Sequence, residues 1–181
     1  NTLQDLTFDN IYHEHLSYFT IKPLIRFLKK KKLYPYFIDH IKMKGGSLRL
    51  IFKKDHAALK HKTKIKKSII HENQLKLHKL KTYEKIQTNK NKNNKEVYKY
   101  LKQNFLKGKK IYGFGASVGT TTSVYDLNIK KFIIDIYDHE KIRHNLFLPS
   151  SKIRVRNPTK IMKDKPDILI IFAWRYKKNI L

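Results

Sequence analysis

The spacing of apolar residues changes several times along the chain, and each change marks an element. From Thr20, residues Ile21, Leu24, Ile25, Phe27 and Leu28 recur at helical spacing. Pro23 falls in the first turn, where its missing N–H costs little. Leu33 to Ile41 is aromatic and β-branched, a strand pattern. Lys44-Gly45-Gly46 then supplies a turn, and Leu48, Leu50 and Phe52 alternate as a second strand, so the two predict an antiparallel pair. Ile65, Ile69, Leu75, Leu77 and Leu80 form an intermittent helical stripe thick with Lys. Gln87 to Lys95 approaches low complexity and reads as an exposed connection or a frayed helix section. Helical spacing resumes at Val97, Tyr100, Leu101 and Phe105, and Gly108 stops it.

A βαβ pattern follows. Lys110 to Ser117 is a short strand running into a glycine turn, Val118 to Leu127 forms a helix, and Phe132-Ile133-Ile134-Asp135 reads as a buried strand ending on an acid. Asn157 and Pro158 are placed as cap and first residue of a short helix. Asp167 to Phe172 is a near-continuous apolar run, as expected of a parallel sheet covered on both faces. The fold class is α/β, with a Rossmann-like parallel sheet preceded by a helix and an antiparallel strand pair. Three segments are expected: 1–55, a helical Lys-rich connection over 56–107, and the Rossmann-like domain over 108–181.

At 181 residues and 40% hydrophobic content, the chain can bury a core, which excludes a wholly disordered protein. The 41 Lys+Arg against 14 Asp+Glu give a net charge of +27, which would ordinarily point to nucleic acid. Only six of the basic residues are Arg, whereas base-reading proteins favour Arg for its bidentate geometry. The chain is also rich in Ile and Asn, the companions of Lys in an A/T-rich genome, so the charge reads first as composition bias at solvated positions. Cysteine is absent, which excludes disulfides and thiolate metal sites and fits a reducing compartment. No apolar run reaches the roughly 20 residues of a membrane span. Asn1 to Asp5 is polar, lacks a signal-peptide core and does not start with Met. A cytoplasmic chain cut at its front end is expected.

Two places carry candidate chemistry. In Gly113-Phe114-Gly115 a strand turns tightly into a helix, where backbone N–H groups at the positive end of the dipole can hold a phosphate. Asp135 lies 22 residues beyond Gly113, close to the spacing at which an acid meets a ribose hydroxyl. Gly119 makes the pattern GxGxxxG, out of register with the dinucleotide fingerprint, which leaves packing as the other reading of these glycines. The second place is Tyr12-His13-Glu14-His15. In extended backbone Tyr12 and Glu14 would share one face, and His13 and His15 the other. Such a group can move a proton near neutral pH, or it can be a polar loop leading into the next helix. Nothing in its spacing resembles a metal site.

Taken together these segments resemble the C-terminal part of the SAM-dependent sugar C-methyltransferases, which methylate a carbon of a nucleotide-linked keto-deoxysugar. Phe8 to Phe19 looks like the family's catalytic loop. Gly45-Gly46-Ser47-Leu48-Arg49 is similar to the opening of the last strand of its class I methyltransferase domain. Tyr112 to Ser117 resembles the glycine turn of its C-terminal domain, and Ile134-Asp135, Lys165-Pro166-Asp167 and Ala173-Trp174-Arg175-Tyr176 match later blocks in order. The resemblance implies that segment 1–55 is the truncated end of a methyltransferase domain. It implies a nucleotide-linked keto-sugar as substrate and S-adenosylmethionine (SAM) as cofactor, with the SAM-binding loop lying outside this sequence or on a complementing chain. His15 is then the general base, with Tyr12 and Glu14 orienting or assisting it. Gly113, Gly115, Ser117 and Asp135 sit near the nucleotide. Without the SAM-binding half, methyl transfer by the chain alone is not expected. A non-catalytic sugar-nucleotide-binding module and a basic nucleic-acid-binding α/β protein are the alternatives.

Overall fold

A computed structural model describes residues 7–41, 46–54 and 62–180. Asn1 to Asp5, Lys44 and Gly45, all used in the sequence reading, lie outside the described residues. The chain forms two compact units, one over residues 16–88 and the other combining residues 7–15 with 89–180. This division differs from the three segments read off the sequence: the expected connection is divided between the two units after Thr88, and residues 7–15 belong with the C-terminal unit.

The first unit contains helix α1 (Ile21–Lys29), strands β1 (Tyr34–Ile41) and β2 (Ser47–Lys53), and helix α2 (Lys62–Gln74). The strands pair antiparallel, with Ile38 opposite Leu50. Ile21, Ile25, Ile38 and Ile65 form the core, with Leu50, Phe52 and Ile69 packed against it. Thr20 occupies the N-cap position of α1, but its side chain makes no cap hydrogen bond. Glu72 on α2 does this instead: its carboxylate accepts from the Ile21 N–H at 2.7 and 2.8 Å and from the Lys22 N–H at 3.3 Å. A charged acceptor at the positive end of a helix gains from both hydrogen bond and dipole. Glu72→Ala is expected to cost this unit about 1–2 kcal/mol. The Ile21 and Lys22 amides should then exchange with solvent roughly tenfold faster. Unchanged exchange at both amides would show that the cap contributes nothing.

Helix α3 (Leu80–Leu106) runs without interruption through Gln87 to Lys95, where the sequence left a connection or a frayed section open. The reason lies one helical turn apart on the same face. Lys90 and Asn94 both reach Asp126, the last residue of helix α4 (Val118–Asp126). Asn94 Nδ2 donates to the Asp126 carboxylate at 2.9 Å and to its carbonyl at 3.1 Å. A carboxylate at a helix C-terminus opposes the dipole, and the Lys90 ammonium offsets it.

The second unit is built on strands β3 (Ile111–Phe114), β4 (Asp135–Tyr137), β5 (Arg154–Arg156) and β6 (Ile168–Ile171), all parallel in the order β5-β4-β3-β6. On one face Leu101 of α3 and Val124 of α4 pack with Ile111 and Ile136. On the other, Tyr112, Phe114 and Tyr137 meet Ile161 of helix α5 (Ile161–Asp164) and Ile180 of helix α6 (Lys177–Ile180). Both faces are covered, as the apolar run of β6 required. Asn157 caps the turn at Pro158–Lys160 as expected, accepting from the Thr159 N–H at 3.0 Å.

One strand starts later than the sequence reading placed it. Lys130–Phe132 is a 3-10 turn, and Phe132 is buried beside the rings of Tyr98 and Phe105. Strand pairing begins only afterwards, so Asp135 opens β4 instead of closing a strand. Strand β5 escaped the reading because it is three residues long with a single buried side chain, Val155. The chain adds β4 and β5 to one side of β3 and then returns to lay β6 on the other. The carboxyl ends of β3 and β6 therefore flank the topological switch point, where ligands bind in open α/β sheets. Among the described residues no helix is long and apolar enough to cross a membrane.

Candidate active site

The residues after β3 and β6 build the floor of the candidate site. Gly115 has φ +95°, and a Cβ there would lie 2.6 Å from the Cβ of Ala173 and 2.9 Å from its backbone nitrogen. At Gly113 a Cβ would meet the Phe172 ring at 2.7 Å and Ile136 at 2.8 Å. These two glycines let the turn after β3 lie against the residues that follow β6.

The N–H groups of the turn are already bonded within the protein. Gly115 N–H donates to the Tyr137 carbonyl at 2.7 Å, Ala116 N–H to the Asp138 carboxylate at 2.6 Å, and Ser117 N–H to Thr120 Oγ1 at 3.1 Å. Thr120 is buried and its hydroxyl donates to the Gly115 carbonyl at 2.6 Å, which locks the turn to the first coil of α4. Ser117 is exposed at the head of that helix.

The acid that reaches the turn is Asp138, not Asp135. Asp138 is buried, accepts from the Glu140 N–H at 2.8 Å, and pairs with Arg143 at 3.1 Å. Asp135 sits at the opposite end of β4, where it accepts from the Arg154 N–H at 3.1 Å and pairs with Arg156 at 3.3 Å. Burial there pushes its carboxyl above the usual range, against the pull of the two arginines. Arg156 also holds Asp164, which accepts from the Tyr137 hydroxyl at 2.8 Å. This network joins β4, β5 and α5, and Asp135 makes none of the bonds that close the glycine turn. The sequence signal for Asp138 was a second acid three residues after the first, at the true end of the strand.

Residues 7–15 are seated on this floor. Phe8–Asn10 makes a single 3-10 turn, and the backbone of Asp9 passes so close to Gly119 that a Cβ there would lie 2.8 Å from the Asp9 carbonyl oxygen. The out-of-register third glycine thus admits the protein's own loop. The Asp9 carboxylate accepts from Trp174 Nε1 at 3.1 Å and from Arg175 at 2.9 Å. Arg175 also donates to Asn10 Oδ1 at 2.7 Å, and its guanidinium stacks on the Trp174 ring with 4.4 Å to the centroid. The Thr122 hydroxyl of α4 meets the Ile11 carbonyl at 3.4 Å.

The loop then folds back on itself. His15 N–H donates to the Tyr12 carbonyl at 2.9 Å, so residues 12–15 form a turn and not extended backbone. This overturns the expected facing of alternate residues: Tyr12 meets His15 across the turn, with ring centroids 4.2 Å apart. Glu14 lies instead beside His13, 3.9 Å away and well exposed. His15 Nδ1 is 2.7 Å from the Asn10 carbonyl oxygen, and Nε2 is 3.2 Å from the Tyr12 hydroxyl. A carbonyl can only accept, so Nδ1 carries the proton of the neutral ring and Nε2 presents its lone pair, to which Tyr12 donates. Orientation of the imidazole thus comes from Asn10, a residue the sequence reading gave no role, and not from Glu14.

The arrangement offers a proton acceptor at Nε2 with a phenol beside it, at the carboxyl end of a parallel sheet. Among the described residues no group of three His, Asp or Glu side chains is placed to hold a metal ion. Asp9, Trp174 and Arg175 were visible as motif residues, but only the fold brings Asp9 onto the two residues that follow β6. The sequence model of the C-methyltransferase C-terminal domain matches residues 42–181. No curated protein matches the chain. The loop bearing His15 precedes the matched stretch, yet it packs within the unit that the matched stretch mostly forms.

Proposed function

Because the chain belongs to the C-methyltransferase C-terminal domain family, we propose that it serves a SAM-dependent enzyme that methylates the carbon next to the keto group of a nucleotide-linked deoxysugar. The observation carrying this reading is the His15 ring, with Nδ1 on the Asn10 carbonyl and Nε2 toward Tyr12. His15 Nε2 takes the proton from the carbon next to the ketone, and the electron pair moves onto the keto oxygen as an enolate. The Tyr12 hydroxyl, released from Nε2 by the arriving substrate, donates to that oxygen and stabilises it. Ser117, exposed at the head of α4, is in this reading the residue that meets the nucleotide.

The glycine turn leaves no place for SAM. The N–H groups of Gly115, Ala116 and Ser117 are already bonded, and the loop backbone fills the space beside Gly119. In this reading the methyl donor is bound outside the described residues, and the chain alone does not transfer a methyl group. Deprotonation needs no donor, which gives the test. In D2O without SAM, the enzyme carrying this chain is expected to exchange the proton next to the ketone of the sugar nucleotide, followed by NMR. Retention of that proton, by an enzyme that methylates when SAM is added, would refute a separate deprotonation by this site.

A further inference from the structure

Arg175 lies at the far end of the sequence from the acid–base turn, yet one unbroken set of contacts joins them. One terminal nitrogen holds Asp9 at 2.9 Å and the other holds Asn10 Oδ1 at 2.7 Å. The carbonyl of that same Asn10 takes the His15 Nδ1 proton at 2.7 Å. The anchor is largely withdrawn from water, with 24% of the Arg175 side chain and 12% of Asp9 exposed. Charge-assisted hydrogen bonds in such a place are short and strongly directional. Trp174 adds a second donor to Asp9 and a ring under the guanidinium, so both angle and depth of the anchor are set. Two neighbouring loop side chains gripped by one planar group cannot rotate independently, which restrains the Asn10 backbone from which the carbonyl to His15 projects.

We propose that Arg175 is a positioning residue for His15: it holds the Asp9-Asn10 segment so that the Asn10 carbonyl keeps the proton on Nδ1 and leaves Nε2 as the basic nitrogen. This rests on the reading of His15 as the base, but it makes a claim about the ring that can be tested without turnover. Lysine would not replace Arg175, because an ammonium is a point charge and cannot serve both Asp9 and Asn10 in one plane.

The tautomer is read directly by long-range proton–nitrogen NMR on the chain labelled with 15N at histidine, at a pH where the rings are neutral. His15 is assigned by the signals missing from His15→Gln. The wild-type ring is expected in the Nδ1–H form. Arg175→Met and Arg175→Lys are both expected to lose that signature, with the remaining backbone amide spectrum preserved. A wild-type ring in the Nε2–H form would overturn the proposal, as would an Arg175→Met protein that folds and keeps Nδ1–H. Should Arg175→Met fail to fold, Asn10→Ala decides, since it removes one arm of the grip and leaves the Asp9 pair intact. Loss of the Nδ1–H signature there supports the proposal, and retention overturns it. Turnover that survives His15→Gln would instead refute the base assignment while leaving the tautomer result standing.

Discussion

Replacing His15 by alanine is expected to lower turnover of the methyltransferase carrying this chain by about 10²–10⁴-fold, the range for loss of a positioned general base. Affinity for the proposed sugar-nucleotide substrate should stay near that of the unchanged enzyme, because in the proposed reaction the imidazole addresses only the proton that is removed. Structural damage should be small. His15 is exposed, and its side chain makes two hydrogen bonds within its own loop, to Asn10 and Tyr12. Asp9 and Arg175 seat the loop through bonds of their own. Steady-state kinetics with the intact enzyme check this directly: kcat should fall and KM should move little. Turnover within a few fold of the unchanged enzyme would remove His15 from the chemistry. Tyr12→Phe should cost less, since it takes away the proposed support for the enolate oxygen but leaves the proposed base.

Gly115→Val is expected to destabilise the parallel-sheet unit by about 3 kcal/mol, combining a left-handed backbone that a branched residue resists with overpacking. The clash cannot be relieved by a side chain swinging aside. Two of the three nearest atoms are the backbone nitrogen and Cα of Ala173, at 2.9 and 3.2 Å. That backbone is itself fixed, because the Phe172 and Ala173 N–H groups both donate to the Phe114 carbonyl, at 2.9 and 3.2 Å. Gly115→Ala carries the same first carbon and should cost nearly as much. Urea unfolding with an unchanged slope and a lower midpoint would report it. An alanine variant as stable as the unchanged protein would mean that the turn and the post-β6 segment are not locked together as described.

The third glycine teaches something different. Gly119 breaks the spacing of a dinucleotide fingerprint, and the sequence left open whether these glycines serve a phosphate or packing. All three meet protein atoms within 3 Å of an added Cβ: Phe172 and Ile136 at Gly113, Ala173 at Gly115, and the Asp9 carbonyl at Gly119. A glycine marks a close approach, and the pattern alone does not name what approaches.

Local pattern determined most of the elements. Ile21 and Ile25 of the first helical stripe and Ile65 of the second are buried together in the core, because helical period is set by neighbours in sequence. The apolar run from Asp167 to Phe172 likewise announced a sheet covered on both sides. Family membership was carried by order-preserving motifs, which are also local. The continuity of α3 was not legible, since Lys90 and Asn94 look like solvated residues until Asp126 of another helix meets them. Nor was the β4 boundary, which depended on Phe132 being drawn into the core beside Tyr98 and Phe105. At the candidate site the residue types Tyr12 and His15 were legible, but their partners were not. A turn joins residues three apart where extended backbone would join residues two apart, and only the fold decides between them. The tie from Arg175 through Asn10 to His15 spans almost the whole chain. Sequence proximity carries no information about such a contact; it exists because the loop at residues 7–15 is seated where β6 ends, at the carboxyl end of the sheet.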